Sequence, residues 1–189
     1  TGDARRPADR VVEEIRAAGG VAVANGSSVS EPAGAAAIVD QAVSEFGRVD
    51  ILVNNAGFLR DRSFARLTPE DFDAVVAVHL AGAAYCTMAA WGHMREQSYG
   101  RVVFTTSNSG LFGNFGQSNY AAAKAGLVGL MNALKQEGGK YNIAVNTLAP
   151  MAATPMTETV MDEATKAAFD PALVSAAVTY LCSEGFTES

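Results

Sequence analysis

The chain has little with which to hold a polyanion, cross a bilayer or staple itself together. Of its 189 residues, 14 are Lys or Arg against 20 Asp or Glu, a formal net charge of −6. Phosphate backbones are bound by clustered cations, so nucleic acid is excluded as the main partner. No apolar run approaches the ~20 residues that span a hydrocarbon core. The opening TGDARRPADR is polar from its first residue and holds no signal-peptide core. A membrane partner is therefore not expected. The only two cysteines, Cys86 and Cys182, sit alone in apolar surroundings with no metal-type spacing. No metal site is expected, and buried free thiols suit a reducing, cytoplasmic location. Neither an internal repeat nor a low-complexity linker divides the chain, and its length fits one domain over residues 1–189.

What is present alternates between strand-like and helix-like segments. Pro7 to Ala18 places Val11, Val12 and Ile15 on one face and ends at Gly19-Gly20, the pattern of an amphipathic helix with a glycine stop. Val21 to Ala24 is short, apolar and β-prone, and Ala33 to Phe46 reads as a helix closed by Gly47. Val49 to Val53 is a buried strand running into Asn54-Asn55-Ala56-Gly57. Thr68-Pro69 starts a helix with Thr as the cap and Pro in the first position. Ala81 to Gln97 and Asn119 to Glu137 read as long apolar helices, Arg101 to Thr106 and Ile143 to Leu148 as strands, and Pro171 to Cys182 as a last helix. Near-continuous apolar strands separated by helices predict a parallel sheet covered on both faces, a doubly wound α/β/α sandwich. Ligands bind at the carboxyl ends of such strands. Asn54 to Gly57 and Thr105 to Ser109 both fall there.

Tyr120 and Lys124 are four residues apart on a predicted helix and project from one face. An unperturbed phenol has a pKa of about 10, and a neighbouring ammonium favours its ionised form. A Ser hydroxyl from a strand end, such as Ser107, could orient a carbonyl or alcohol against that phenol. Taken alone, a Tyr–Lys pair at this spacing is commonly surface decoration. Its context is Tyr120-Ala-Ala-Ala-Lys124, Ser107 thirteen residues upstream, and Asn54-Asn55-Ala56-Gly57 after a strand. Together these resemble the short-chain dehydrogenase/reductase family, in order and spacing, from about Pro7 to Cys182. The resemblance implies a Rossmann-type fold, a nicotinamide cofactor and hydride transfer between an alcohol and a ketone. It implies Tyr120 as general acid/base, Lys124 on the ribose hydroxyls and lowering the Tyr120 pKa, and Ser107 on the substrate oxygen. Asn54, Asn55, Ala56 and Gly57 would line the cofactor site, and Thr154 would stand near the nicotinamide carboxamide.

The stretches GFLRDRSF (Gly57 to Phe64), AAWGHM (Ala89 to Met94) and GLFGNFGQSNYAAAK (Gly110 to Lys124) resemble one branch, the (3R)-hydroxyacyl-CoA dehydrogenase modules of multifunctional enzyme type 2. Val78-His79-Leu80-Ala81-Gly82 carries His79 where the wider family usually has Asn, and this branch resembles the chain there. His79 would join a proton relay or be a structural histidine. The 3-oxoacyl-acyl-carrier-protein reductases share the G-N-x-G-Q-x-N-Y-A-A-A-K-A-G pattern, so the carrier of the thioester, CoA or acyl-carrier protein, stays open. NAD is the expected cofactor, with NADP the alternative. A non-catalytic dinucleotide-binding or scaffold protein is the reading from another class. Ser27-Ser28 stand where relatives tend to carry an adenine-contacting Asp. Arg60-Asp61-Arg62 would meet a CoA phosphate or form a local ion pair, and Met151, Met156 and Met161 would line an acyl chain or simply pack. Family members open with a strand, a T-G-x-x-x-G-x-G loop and a second strand that hold the pyrophosphate. These and the last strand are not in this sequence, so the domain reads as incomplete at both ends. The two long apolar helices imply a homodimer or homotetramer, since in relatives such helices pack between subunits.

Overall fold

The computed structural model describes residues 7–153, 162, 169–186 and 188–189. Three strands, β1 (Ile51–Asn54), β2 (Gly100–Thr105) and β3 (Ile143–Leu148), form a parallel sheet in the order β1-β2-β3. Its register aligns Ile51 with Arg101 and Arg101 with Ala144, and Asn54 with Phe104 and Phe104 with Thr147. Because strand side chains alternate, Leu52, Val102, Phe104 and Val145 share one face. Against that face pack three helices, α2 (Pro32–Phe46), α4 (Ala83–Glu96) and α6 (Ser118–Gly138), through Val39, Ala83, Ala90, Met94 and Leu127. On the other face lies α7 (Pro171–Leu181). Helices on both sides of a parallel sheet are the architecture the apolar strands dictated.

The local signals act as expected. Thr68 Oγ accepts the Asp71 N–H at 3.2 Å and caps α3 (Pro69–Val76). Gly47 takes φ 80° after α2, a left-handed stop open to glycine without a Cβ penalty. Between α3 and α4 the helix widens into a π-helical turn, Ala77–Gly82, that carries His79. The continuous helical run Pro69–Glu96 is long and apolar enough to cross a membrane. Here Val75, Ala83, Cys86, Ala90 and Met94 are buried in the protein core, so it is a core helix.

Three expectations change. Val21 to Ala24 joins no ladder among the described residues. The Ala22 carbonyl accepts from the Arg16 guanidinium at 2.7 Å, and the Ala24 carbonyl accepts from Gln41 Nε2 at 3.3 Å. Side chains thus take the acceptors that a neighbouring strand would use. The first helix, α1 (Pro7–Ala17), buries none of its residues, and its apolar stripe at Val11 and Ile15 faces solvent. On β1, Val49 just before the strand is buried, whereas Ile51 and Val53 are 47% and 41% exposed on the face toward α7.

Candidate active site

The site forms where β1 and β2 end. Ser107 follows β2 and caps a short helix, α5 (Asn108–Phe112), its Oγ accepting the Ser109 N–H at 3.2 Å. Tyr120 and Lys124 lie in the first turns of α6, one turn apart and facing the same way. Gly110 lets α5 approach this helix closely, because a Cβ there would come within 2.8 Å of the Lys124 and Ala125 main chain. The Ser107 side chain reaches the Tyr120 phenol closely enough to act on its ionisation, and Lys124 Nζ stands 5.5 Å from the Tyr120 ring centre. Sequence positions 107, 120 and 124 are thereby one cluster.

Lys124 is almost fully buried, with its ammonium donating to the Thr105 carbonyl and its own carbonyl accepting from Thr106 Oγ at 2.7 Å. Burial disfavours the charged form and pulls its pKa down to about 8. The expected depression of the Tyr120 pKa is not what the geometry gives. Burial raises it, the Ser107 side chain works against that rise, and the Asp61 carboxylate adds to it. The ammonium sits over the Tyr120 ring, and burial is the largest influence on the phenol.

His79 is buried and packs edge-on against Tyr120. The Phe58 N–H donates to its Nε2 at 3.1 Å, and the same nitrogen is 2.8 Å from the Phe58 carbonyl oxygen. Burial lowers its pKa, with the Phe58 backbone opposing and Lys124 reinforcing, so the ring is held neutral. Nδ1 is buried without a hydrogen-bond partner among the described residues. Gly57 is required by this ring, since a Cβ would come within 2.0 Å of it. Asn54 turns away from the cleft, its Nδ2 donating to Thr87 Oγ at 3.2 Å, whereas Asn55, Ala56 and Gly57 are exposed at the end of β1.

Asn55, Thr105 and Pro150 line a cavity of about 350 Å³ at the strand ends, closed on one side by Val174 and Val178 of α7. A buried ammonium, a phenol and a serine hydroxyl beside such a cleft suit a sugar diol and a carbonyl oxygen, so the donor set fits the nicotinamide-ribose end of a dinucleotide. Thr154, Met156 and Met161 lie outside the described residues. Ser28 bonds Ser30 through their hydroxyls at 2.8 Å in the turn before α2. Arg60 pairs with Asp71 at 2.9 Å, the local ion pair rather than a waiting phosphate site.

Sequence reasoning missed Asn119 and Gln117. Asn119 is fully buried and donates to the carbonyls of Arg60 at 3.1 Å and Asp71 at 3.3 Å, while its Oδ1 accepts the Tyr120 N–H at 2.8 Å. The string Gln117-Ser118-Asn119-Tyr120 contained the signal, two amides just ahead of the phenol, but no partner for them was visible in one dimension.

A doubly wound parallel α/β sheet with Ser, Tyr and Lys gathered at its carboxyl end defines a Rossmann-type fold. The short chain dehydrogenase profile matches residues 2–166, and the chain belongs to that family. It is 54% identical over 184 residues to a short-chain type dehydrogenase/reductase of Mycobacterium tuberculosis, covering 97% of this chain and 64% of that protein. It is 51% identical over 182 residues to peroxisomal multifunctional enzyme type 2 of Mus musculus, covering 96% of this chain and 24% of that enzyme. The crystal structure of a short chain dehydrogenase from Mycobacterium avium superposes with a TM-score of 0.84 at 45% identity, over 93% of this chain and 61% of that one. The chain thus spans just under two thirds of its mycobacterial relative and about a quarter of the mouse enzyme.

Proposed function

We propose that the chain is the catalytic part of a nicotinamide-dependent dehydrogenase acting on a 3-hydroxyacyl-CoA, with NAD as acceptor, in fatty-acid degradation. The observation that carries this is the convergence of Ser107, Tyr120 and Lys124 at the end of β2. The bound nicotinamide supplies the hydride acceptor. Ser107 donates to the substrate oxygen, and Tyr120, as phenolate, takes the hydroxyl proton as the C–H hydride leaves, so the alcohol becomes a ketone. Lys124 holds the ribose hydroxyls and, when charged, favours the phenolate that burial opposes. Asn55, Ala56 and Gly57 would border the cofactor, and Thr154 would stand near its carboxamide. His79 acts as a neutral support behind Tyr120.

The similarity to the mouse multifunctional enzyme and the presence of His79 support CoA over acyl-carrier protein as the thioester carrier. The apolar groove between α4 and α6, about 270 Å³ and bordered by Met88, Trp91, Leu130 and Leu134, supports a homodimer or homotetramer built on these helices. Two free, buried cysteines suit a reducing compartment, the cytoplasm in our reading. The test compares 3-hydroxyacyl-CoA and 3-hydroxyacyl-acyl-carrier-protein with NAD and NADP side by side. Turnover of the CoA ester with NAD supports the proposal; turnover of the carrier-protein ester with NADP alone replaces it with reductive synthesis. Binding of neither cofactor leaves a scaffold.

A further inference from the structure

Gln117 is nine-tenths buried at the N-cap of α6, three residues ahead of Tyr120. Its Oε1 accepts from Ser109 Oγ at 2.7 Å and from Asn114 Nδ2 at 3.0 Å, and its Nε2 donates to Asp61 Oδ2 at 2.9 Å. Two donors on the oxygen and a carboxylate on the nitrogen leave the amide a single orientation. Ser109 in turn donates its N–H to Ser107 Oγ, and the Ser107 side chain acts on the Tyr120 phenol to favour its ionised form. Linked hydrogen bonds therefore run from Asp61 through Gln117 and Ser109 to the Ser107 hydroxyl beside the reacting phenol. They cross three separate pieces of backbone: the loop after β1, the α5 turn and the start of α6.

The cations near Asp61 are otherwise engaged. Arg60 pairs with Asp71, and the Arg62 guanidinium donates to the Asp61 main-chain oxygen at 3.1 Å. Among the described residues the Asp61 carboxylate forms no salt bridge, so Gln117 receives a charged acceptor, the stronger kind. Main-chain contacts hold the same seam, with the Arg62 N–H donating to the Gly116 carbonyl at 2.8 Å.

We propose that Asp61 and Gln117 form a positioning pair, resting on the dehydrogenase reading above. Asp61 fixes Gln117, and Gln117 fixes the Ser109–Ser107 turn, so that the Ser107 and Tyr120 hydroxyls meet one substrate oxygen. Neither Asp61 nor Gln117 touches the reacting atoms. The pair has an electrostatic consequence as well. Tyr120 faces Ser107 from the α5 turn, His79 from the π-helical turn, Lys124 from its own helix and Asp61 from the loop after β1. Of these, the Asp61 charge works against the phenolate.

The test uses the full-length protein, with Asp61→Asn, Asp61→Ala and Gln117→Ala. Asp61→Asn keeps an acceptor for Gln117 and removes the charge. The ionisation of Tyr120, read from the tyrosine Cζ chemical shift and assigned by Tyr120→Phe, moves to lower pH in Asp61→Asn. Asp61→Ala and Gln117→Ala each lower kcat about tenfold with KM little changed, as expected for lost orientation. Their double variant is no worse than either, and Asp61→Asn restores most of kcat. An unmoved Tyr120 titration in Asp61→Asn overturns the pair, as do kcat losses that follow the loss of Tm or singles that add. If no thioester is turned over, the dehydrogenase reading fails, while the chemical-shift titration still decides whether Asp61 acts on Tyr120.

Discussion

The imidazole of His79 meets the Tyr120 ring edge-on, with 5.1 Å between centroids and 90° between planes. The same ring is held by the Phe58 main chain and fills the space left by Gly57. One side chain from the widened turn of a helix thus joins the end of β1 to the phenol of α6. It is the contact that turns two loops and a helix start into one site.

Acid should strain this joint first. Burial places the His79 pKa below its ordinary 6.5, so the unfolded chain takes up a proton where the folded chain resists it. The contribution of His79 is complete above pH 6.5 and is lost as pH falls below that value. Urea midpoints at pH 7.5 and pH 5.5 should differ more for the native protein than for His79→Asn. Equal losses in both would show that His79 is not the sensitive group.

Lys124 trades stability for chemistry. Its pKa of about 8 against 10.5 means that the folded state disfavours the ammonium, and stability gains as pH rises from about 8 to 10.5. Lys124→Met removes that penalty and the bond to Thr105. The balance at neutral pH should be a gain of about 2 kcal/mol, with activity abolished. Denaturant unfolding measures the first and NAD reduction the second. A less stable Lys124→Met protein at pH 7 contradicts the account.

Arg101 is a cation at the opposite end of β2, 2% exposed, and holds backbone rather than a carboxylate among the described residues. It donates to the carbonyls of Gly100 at 2.8 Å, Asn142 at 3.0 Å and Ser183 at 3.4 Å, and stacks on Tyr99. It ties the start of β2 to the entry of β3 and the end of α7. Arg101→Met should cost about 3 kcal/mol, because the bonds to three carbonyls, the Gly100 one buried, and the stacking on Tyr99 are lost. The kcat of the folded fraction should be unchanged. A parallel loss of kcat without loss of stability would place Arg101 in the site instead.

Met88 is 70% exposed on α4 beside the apolar groove shared with α6. A charge there should prevent two copies from meeting across these helices. Met88→Glu is expected to sediment as a monomer where the native protein is a dimer or tetramer. A native monomer, or an unaffected oligomer, contradicts this use of the surface.

Much of the site was legible because its spacing is local. Tyr120 and Lys124 share a helix, and Ser107 sits at the end of a strand whose apolar run is unmistakable. The parallel sheet followed from near-continuous apolar strands separated by helices. What could not be read depends on partners distant in sequence. That Val21 to Ala24 would stay unpaired was unreadable because Arg16 and Gln41, which take its carbonyls, meet it only after folding. The sign of the Tyr120 shift was misjudged because spacing shows that Lys124 is near but not that burial is the largest influence on the phenol. Gln117 and Asp61, 56 residues apart, meet only after folding.

The central claim is that Tyr120 moves the proton in hydride transfer from a 3-hydroxyacyl-CoA to NAD. The most direct measurement is turnover by Tyr120→Phe alongside calorimetric binding of NAD. The account predicts loss of at least about a thousandfold in kcat with NAD affinity and Tm retained. Tyr120→Phe protein that still reduces NAD at a rate close to the native one would contradict it.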